Sequence, residues 1–277
     1  MKSTFISLAI FVIFFNVSHV LKSQENKLPD EETLNLIHDS ILNEAEVLYY
    51  FELAAWVSID SALYDPEIEK IIGGYIVYEI ENGVKSIVFS ENLEYVILEM
   101  DYEFGNQDYV FFSKEKRSVT EKEAHLVNIR DKIIDNIIRE KYKVIQYENY
   151  TFNTVLLEKD FGYRFYLLTG TTLNWVVPFG NDYLFETDFE GDITKYKRIH
   201  QTLINFEIYT DEGHEVVSHM HSHLKSEPYI TATDICTFRL YARLYDLDNF
   251  IVYSTFYGKY FMYILKSNTI IVMDKFD

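Results

Sequence analysis

Apolar residues recur at Leu34, Ile37, Ile41 and Leu48, one face of a 3.6-residue period, and predict a helix over residues 33–58. The period then changes to two. Residues 75–81 and 84–89 alternate around Asn82-Gly83, a pair favoured in type I′ turns, and predict a hairpin. Residues 94–101 and 108–113 continue as strands. A second helix is predicted from Thr120, with Glu123 three residues on as a capping box and Leu126, Ile129, Ile133 and Ile137 on its apolar face. Beyond Lys143 the pattern is mostly strand: 144–147, 154–158, 164–170, 175–178, a hairpin of 183–188 with 193–200 turning at Glu190-Gly191-Asp192, and 215–223. A helix over 232–244 and strands over 250–255, 260–265 and 269–273 close the chain. The expected class is α+β, with mixed or antiparallel sheets and few helices.

The first residues follow a different pattern. Lys2 precedes an apolar run, residues 5–17, broken by Ser7 and Asn16, and the chain turns sharply polar after Ser23. A basic start, a short apolar core and a small residue at the exit predict a cleaved secretory signal peptide over residues 1–23. The run is shorter than the roughly 20 residues that a bilayer-crossing helix needs. The expected location is therefore secreted or periplasmic, with no membrane span after cleavage. The remaining chain divides most naturally near residue 150, into an N-terminal α+β region (24–150) without a motif that names a role and a C-terminal part (151–277) with its own sheet. No composition change marks that cut.

Charge narrows the partners. The formal net charge is −19, and loss of Lys2 and Lys22 with the leader makes it −21. Such a chain is a poor match for nucleic acid, whose affinity comes largely from Lys and Arg on phosphates, and for anionic membrane surfaces. The single cysteine, Cys236, excludes an internal disulfide, so the fold rests on its core, for which 48% hydrophobic residues, 23 Tyr and 21 Phe are ample. A buried thiol is the plain reading of Cys236. No Asp-x-Asp-x-Asp-Gly run marks a calcium loop.

Histidine is distributed unevenly: of eight, four fall at 214, 219, 221 and 223. On a strand, His219, His221 and His223 share a face, and two imidazoles at that spacing can converge on one ion. Asp234, near the start of the following helix, is placed to return a carboxylate to them. A zinc ion with three protein ligands would keep a position for water. The plainer reading is also open: Thr231-x-x-Asp234 is an ordinary helix N-cap, and strand histidines are often only packed.

The full pattern, His221-Ser222-His223, seven residues, then Thr231-Ala232-Thr233-Asp234, resembles the metal motif of the JAB/MPN (JAMM) metalloprotease family. The resemblance covers about residues 160–275 and is sharp from 215 to 240. It implies an α/β sandwich, Zn2+ on His221, His223 and Asp234, Thr231 in the place of a serine that contacts the metal-bound water, and an aromatic position at His219. It also implies a glutamate general base ahead of a strand like 163–170, where this chain has Tyr163. Glu186 and Glu158 are the nearest replacements, with Glu186 on the adjacent hairpin.

Three functions follow: an exported zinc metallopeptidase hydrolysing peptide or isopeptide bonds; a non-catalytic JAB/MPN-like binding or structural protein that has lost the base; or histidine packing in an unrelated fold. In the first two the partner is a peptide or protein, and export removes intracellular protein tags as substrates. Two lesser features remain. Residues 178–182 (Pro-Phe-Gly-Asn-Asp) read as a turn joining strands. His200 reads as a packed histidine or as support for the histidine strand.

Overall fold

The computed structural model describes residues 26–274 apart from 141, 210, 211, 214, 215, 217 and 218. The predicted leader, residues 1–23, lies outside the described residues, as do His214 and positions 215, 217 and 218 of the predicted histidine strand.

Helix α1 (Glu31–Leu63) opens on Asp30, whose carboxylate accepts the Thr33 N–H at 2.9 Å, and carries Glu31 and Glu32 in its first turn. Asp65-Pro66 ends it and starts the single-turn α2 (Pro66–Glu69). The spacing of its apolar residues predicts one buried face. Instead every side chain from 48 to 55 is buried, Glu52 included. A helix covered on all sides belongs in the interior, and α1 packs against strands of two sheets and a later helix.

Strands β1 (Ile72–Ile80), β2 (Gly83–Ser90), β3 (Tyr95–Glu103) and β4 (Tyr109–Ser113) form an antiparallel sheet in that order, with β5 (Arg117–Ser118) also on β3. The first hairpin forms as predicted, but its turn is displaced. Ile80 pairs with Gly83, so Glu81 and Asn82 make the turn, and neither Asn82 nor Gly83 has positive φ. A type I′ turn is therefore absent here. Gly83 answers to a close approach instead: a Cβ there would stand 1.8 Å from the carbonyl oxygen of Tyr102 on β3.

Helix α3 (Glu121–Arg139) has the predicted capping box, with Thr120 Oγ1 accepting the Glu123 N–H and Glu123 accepting the Thr120 N–H. Leu126, Ile129, Ile133 and Ile137 are buried as expected. They meet Ile87 and Phe89 of the first sheet and Phe165 and Phe185 of the next. The predicted strand 144–147 is not one. Its Ile145 N–H donates to the Tyr183 hydroxyl and its carbonyl accepts from the Asn181 side-chain amide, so side chains take the place of a neighbouring strand.

There follow β6 (Tyr150–Lys159), β7 (Gly162–Thr171), β8 (Val176–Gly180), β9 (Tyr183–Thr187), β10 (Ile193–Arg198) and β11 (Leu203–Glu207). The order β10-β9-β7-β6 makes an antiparallel sheet, and β8 pairs with β11, a strand the sequence pattern did not reveal. Last come β12 (His219–His223), α4 (Ala232–Tyr245), β13 (Asn249–Ser254), β14 (Lys259–Ile264) and β15 (Thr269–Asp274). Within this sheet β12 and β13 are parallel, with α4 as their crossover, and the other pairs are antiparallel.

The class is thus α+β with mostly antiparallel sheets, as expected. Position 150 is the first residue of β6, and the larger core draws on both sides of it: Tyr49, Leu98 and Met100 before, Val155, Phe238 and Phe250 after. Among the described residues no helix is long and apolar enough to cross a membrane.

Candidate metal centre

Strand β12 alternates as a half-buried strand should: His219, His221 and His223 face inward, Met220 and Ser222 outward. Only two of the inward row converge. The His221 and His223 Nε2 atoms are 2.8 Å apart, whereas the His219 ring stacks on Phe206 at 4.6 Å and serves as an aromatic packing group. Row neighbours on a strand are about 6.6 Å apart, so three imidazoles in a row cannot all reach one point.

The third member is Asp234, at the third position of α4. Its Oδ2 accepts the Thr231 N–H at 2.9 Å and the Thr231 hydroxyl at 2.7 Å, which is the N-cap arrangement. Its Oδ1 is buried with no hydrogen-bond partner and lies 3.3 Å from His221 Nε2. Oδ2 serves the cap and also stands 3.4 Å from His223 Nε2, while Oδ1 faces His221 and His200, so both readings of Thr231-x-x-Asp234 hold together. Thr231 itself is occupied by Asp234: its hydroxyl donates to the carboxylate and accepts the Asp234 N–H.

The fourth member is His200, just beyond β10. Its Nε2 lies 3.0 Å from His223 Nε2 and 3.4 Å from Asp234 Oδ1. Sequence offered two roles for this residue, packing or support, and the structure assigns it a place equal to the others. Nothing in its spacing marks it, because β10 and β12 belong to different sheets. The turn at 178–182 completes the arrangement. Gly180 and Asn181 have φ of 80° and 56°, and this corner delivers the buried Asp182, whose Oδ2 stands 2.9 Å from His200 Nδ1.

His200, His221, His223 and Asp234 each offer one ligand atom within 4.8 Å of all the others, and all four residues are buried. The group can hold a metal ion. Tetrahedral ligands at about 2.0–2.1 Å from a centre lie roughly 3.3–3.4 Å from one another. The His221–His223, His200–His223, His221–Asp234 and His200–Asp234 separations of 2.8, 3.0, 3.3 and 3.4 Å lie at or below that figure, and no two atoms of the set are more than 4.8 Å apart. Their supporting contacts suit ligands too. Asp182 orients His200, the His223 Nδ1–H donates to the Tyr229 carbonyl at 2.5 Å, and Thr231 fixes Asp234. Phe179 and Phe250 wall the His221 ring at 5.8 and 5.2 Å.

Electrostatics divides the imidazoles. Burial disfavours a charged His200, but Asp234 and Asp182 on either side prevail and carry its pKa up to about 10. Burial takes His223 the other way, to about 4, with His200 and His221 adding to it against Asp234. Burial would raise the Asp234 carboxyl, yet the three histidines hold it well below the usual carboxylate range. Without a metal, Asp234 therefore faces a protonated His200 and a neutral His223, and a metal ion would take the place of the His200 proton.

The acidic candidates for a general base stand elsewhere. Glu186, on β9, is paired with Lys195 at 2.6 Å and Arg164 at 3.6 Å. Glu158 borders a cleft with Tyr78 and Lys122. Neither joins the cluster. Cys236 is buried and free, also outside it. Comparison of the chain with protein-family models, curated proteins and solved structures finds no match.

Proposed function

We propose that the protein is an exported, zinc-holding, JAB/MPN-like binding or structural protein that lacks peptidase activity. One observation supports this reading: His200, His221, His223 and Asp234 offer four ligand atoms within 4.8 Å of one another, enough to fill a zinc site with no position kept for water. Zinc sites with four protein ligands are the closed, structural kind, and catalytic ones keep a position open. Three imidazoles and a carboxylate, with no thiolate, are a donor set that zinc accepts. Here the ion joins the end of β10, strand β12 and the start of α4, three elements otherwise linked by packing. Its partner is a peptide or protein, met outside the cytoplasm.

The test pairs metal analysis with an activity assay. Protein purified without added metal should carry one zinc per chain, lose it in the His200→Ala variant, and release no product from a fluorogenic peptide library. Chelator-sensitive cleavage by the wild-type protein would overturn the proposal.

A second reading, a zinc metallopeptidase, has one observation in its favour: a cleft of about 270 Å³ lined by Tyr229, Thr231 and Thr233 lies beside the cluster. In that reading His221, His223 and Asp234 hold the zinc, and His200, kept protonated by Asp234 and Asp182, gives its proton to the leaving amine. Cleavage abolished by His200→Ala with zinc retained would select it.

A further inference from the structure

A separate cleft of about 250 Å³ opens beside α1, α4, β6 and β7, and none of the four cluster residues lines it. Its deepest polar group is Glu52, 5% exposed in the covered middle of α1. The Glu52 Oε2 accepts the Asn153 amide at 2.7 Å, whereas its Oε1 is buried and has no partner. A buried oxygen in that state carries an uncompensated desolvation cost, larger if charged, so a partner is called for.

The rest of the lining specifies that partner. Trp56 and Tyr241 stand with ring centroids 5.9 Å apart, and Tyr75 adds a third ring. Thr169 and its neighbouring threonines offer hydroxyl oxygens, and Asp60 adds a carboxylate, while no Lys or Arg lines the cleft. A second cleft shares Trp56, Asp60 and Leu240 and continues with Leu53, Val57, Leu244 and Arg243. Acceptors, a carboxylate and ring faces suit a group that only donates and is positive. A primary ammonium has three N–H donors and no acceptor, and cations favour aromatic faces. In the first cleft an anionic ligand would meet the Glu52 and Asp60 carboxylates with no counter-charge in the lining.

We infer that this cleft binds a primary alkylammonium group, its nitrogen at Glu52 Oε1 and its stem along Trp56, Tyr241 and Leu240. The ligand class is an aliphatic amine such as a lysine side chain or a polyamine end. Burial, and secondarily the charge of Asp182, raises the Glu52 pKa to about 7, an effect that a bound cation offsets. The net charge of −19 draws cations toward the protein at long range.

The probe is n-butylammonium, with butan-1-ol as the uncharged match. The chain has two tryptophans, so Trp175→Phe leaves Trp56 as the sole reporter. At pH 8, n-butylammonium should change Trp56 emission saturably, and butan-1-ol should bind at least about tenfold more weakly. Glu52→Gln should lose at least the same factor, with far-UV circular dichroism unchanged. Absence of a saturable change, equal response to the alcohol, or undiminished binding by Glu52→Gln would each overturn the inference. If Glu52→Gln does not fold, the amine-against-alcohol comparison on the wild-type cleft decides alone.

Discussion

The Asp182 carboxylate lies 2.9 Å from His200 Nδ1, and the opposite ring nitrogen faces Asp234 at 3.4 Å. A ligand imidazole held this way has its tautomer and its ring plane fixed from behind. Loss of such a supporting carboxylate typically weakens metal affinity 10–100-fold. Asp182→Asn keeps an acceptor for the Nδ1–H and removes the charge. Titration against a chromophoric chelator should therefore show zinc bound about 10–100-fold more weakly than by wild type. Unchanged affinity would mean that His200 is not a ligand.

That pair also shows where the sequence stops being informative. His221, His223 and Asp234 are legible because one local unit, strand, loop and helix cap, brings them together within fourteen positions. His200 and Asp182 come from a strand end and a corner in other sheets, and nothing short-range records that a fold will place them there. The same division runs through the scaffold. The α3 capping box and the His-x-His alternation are local rules and appear as read. The interior position of α1 depends on what surrounds it, and Gly83 is explained by Tyr102 on a third strand rather than by its own turn.

Because Asp234 Oδ1 takes no part in the helix cap and faces His221 and His200, the cap can be weakened without withdrawing the carboxylate from the histidines. Thr231→Ala removes the cap hydroxyl and should cost about 1 kcal/mol in urea unfolding, with zinc still bound. Asp234→Asn retains an oxygen for the Thr231 N–H but loses the anion. It should destabilise the zinc-free protein, because the buried His200 loses its strongest anionic partner, and abolish the rise in melting temperature on adding zinc. Equal zinc-induced shifts in Asp234→Asn and wild type would remove Asp234 from the ligand set.

Gly83 gives a prediction without reference to the metal. An added Cβ meets backbone, not a yielding side chain, 1.8 Å from the Tyr102 carbonyl oxygen. Gly83→Ala must push β2 and β3 apart, and overpacking of this kind costs about 1–3 kcal/mol. Thermal unfolding should register a clear drop in midpoint. If the turn itself were the constraint, Asn82→Ala would be as damaging; it should instead stay within about 0.5 kcal/mol of wild type.

Acid sensitivity should centre on Glu123, 1% exposed at the start of α3. Burial alone would raise its pKa, but Arg117 at 2.7 Å, the Thr120 N–H and the Tyr78 hydroxyl overcome this and hold it at about 2. For an acid whose folded pKa is depressed, the stabilisation is complete above the unfolded value, 4.5 here, and is lost as pH falls toward 2. The shift corresponds to about 3 kcal/mol. Unfolding free energy from urea titrations should therefore be flat from this source between pH 5 and 8, then fall steeply below pH 4.5. Arg117→Met leaves the buried carboxylate without its cation and should cost about 3–5 kcal/mol at pH 7. The same variant should lose little further stability on acidification, since protonation then relieves an unpaired charge. A wild-type acid limb preserved intact in Arg117→Met would show that the pair is not its source.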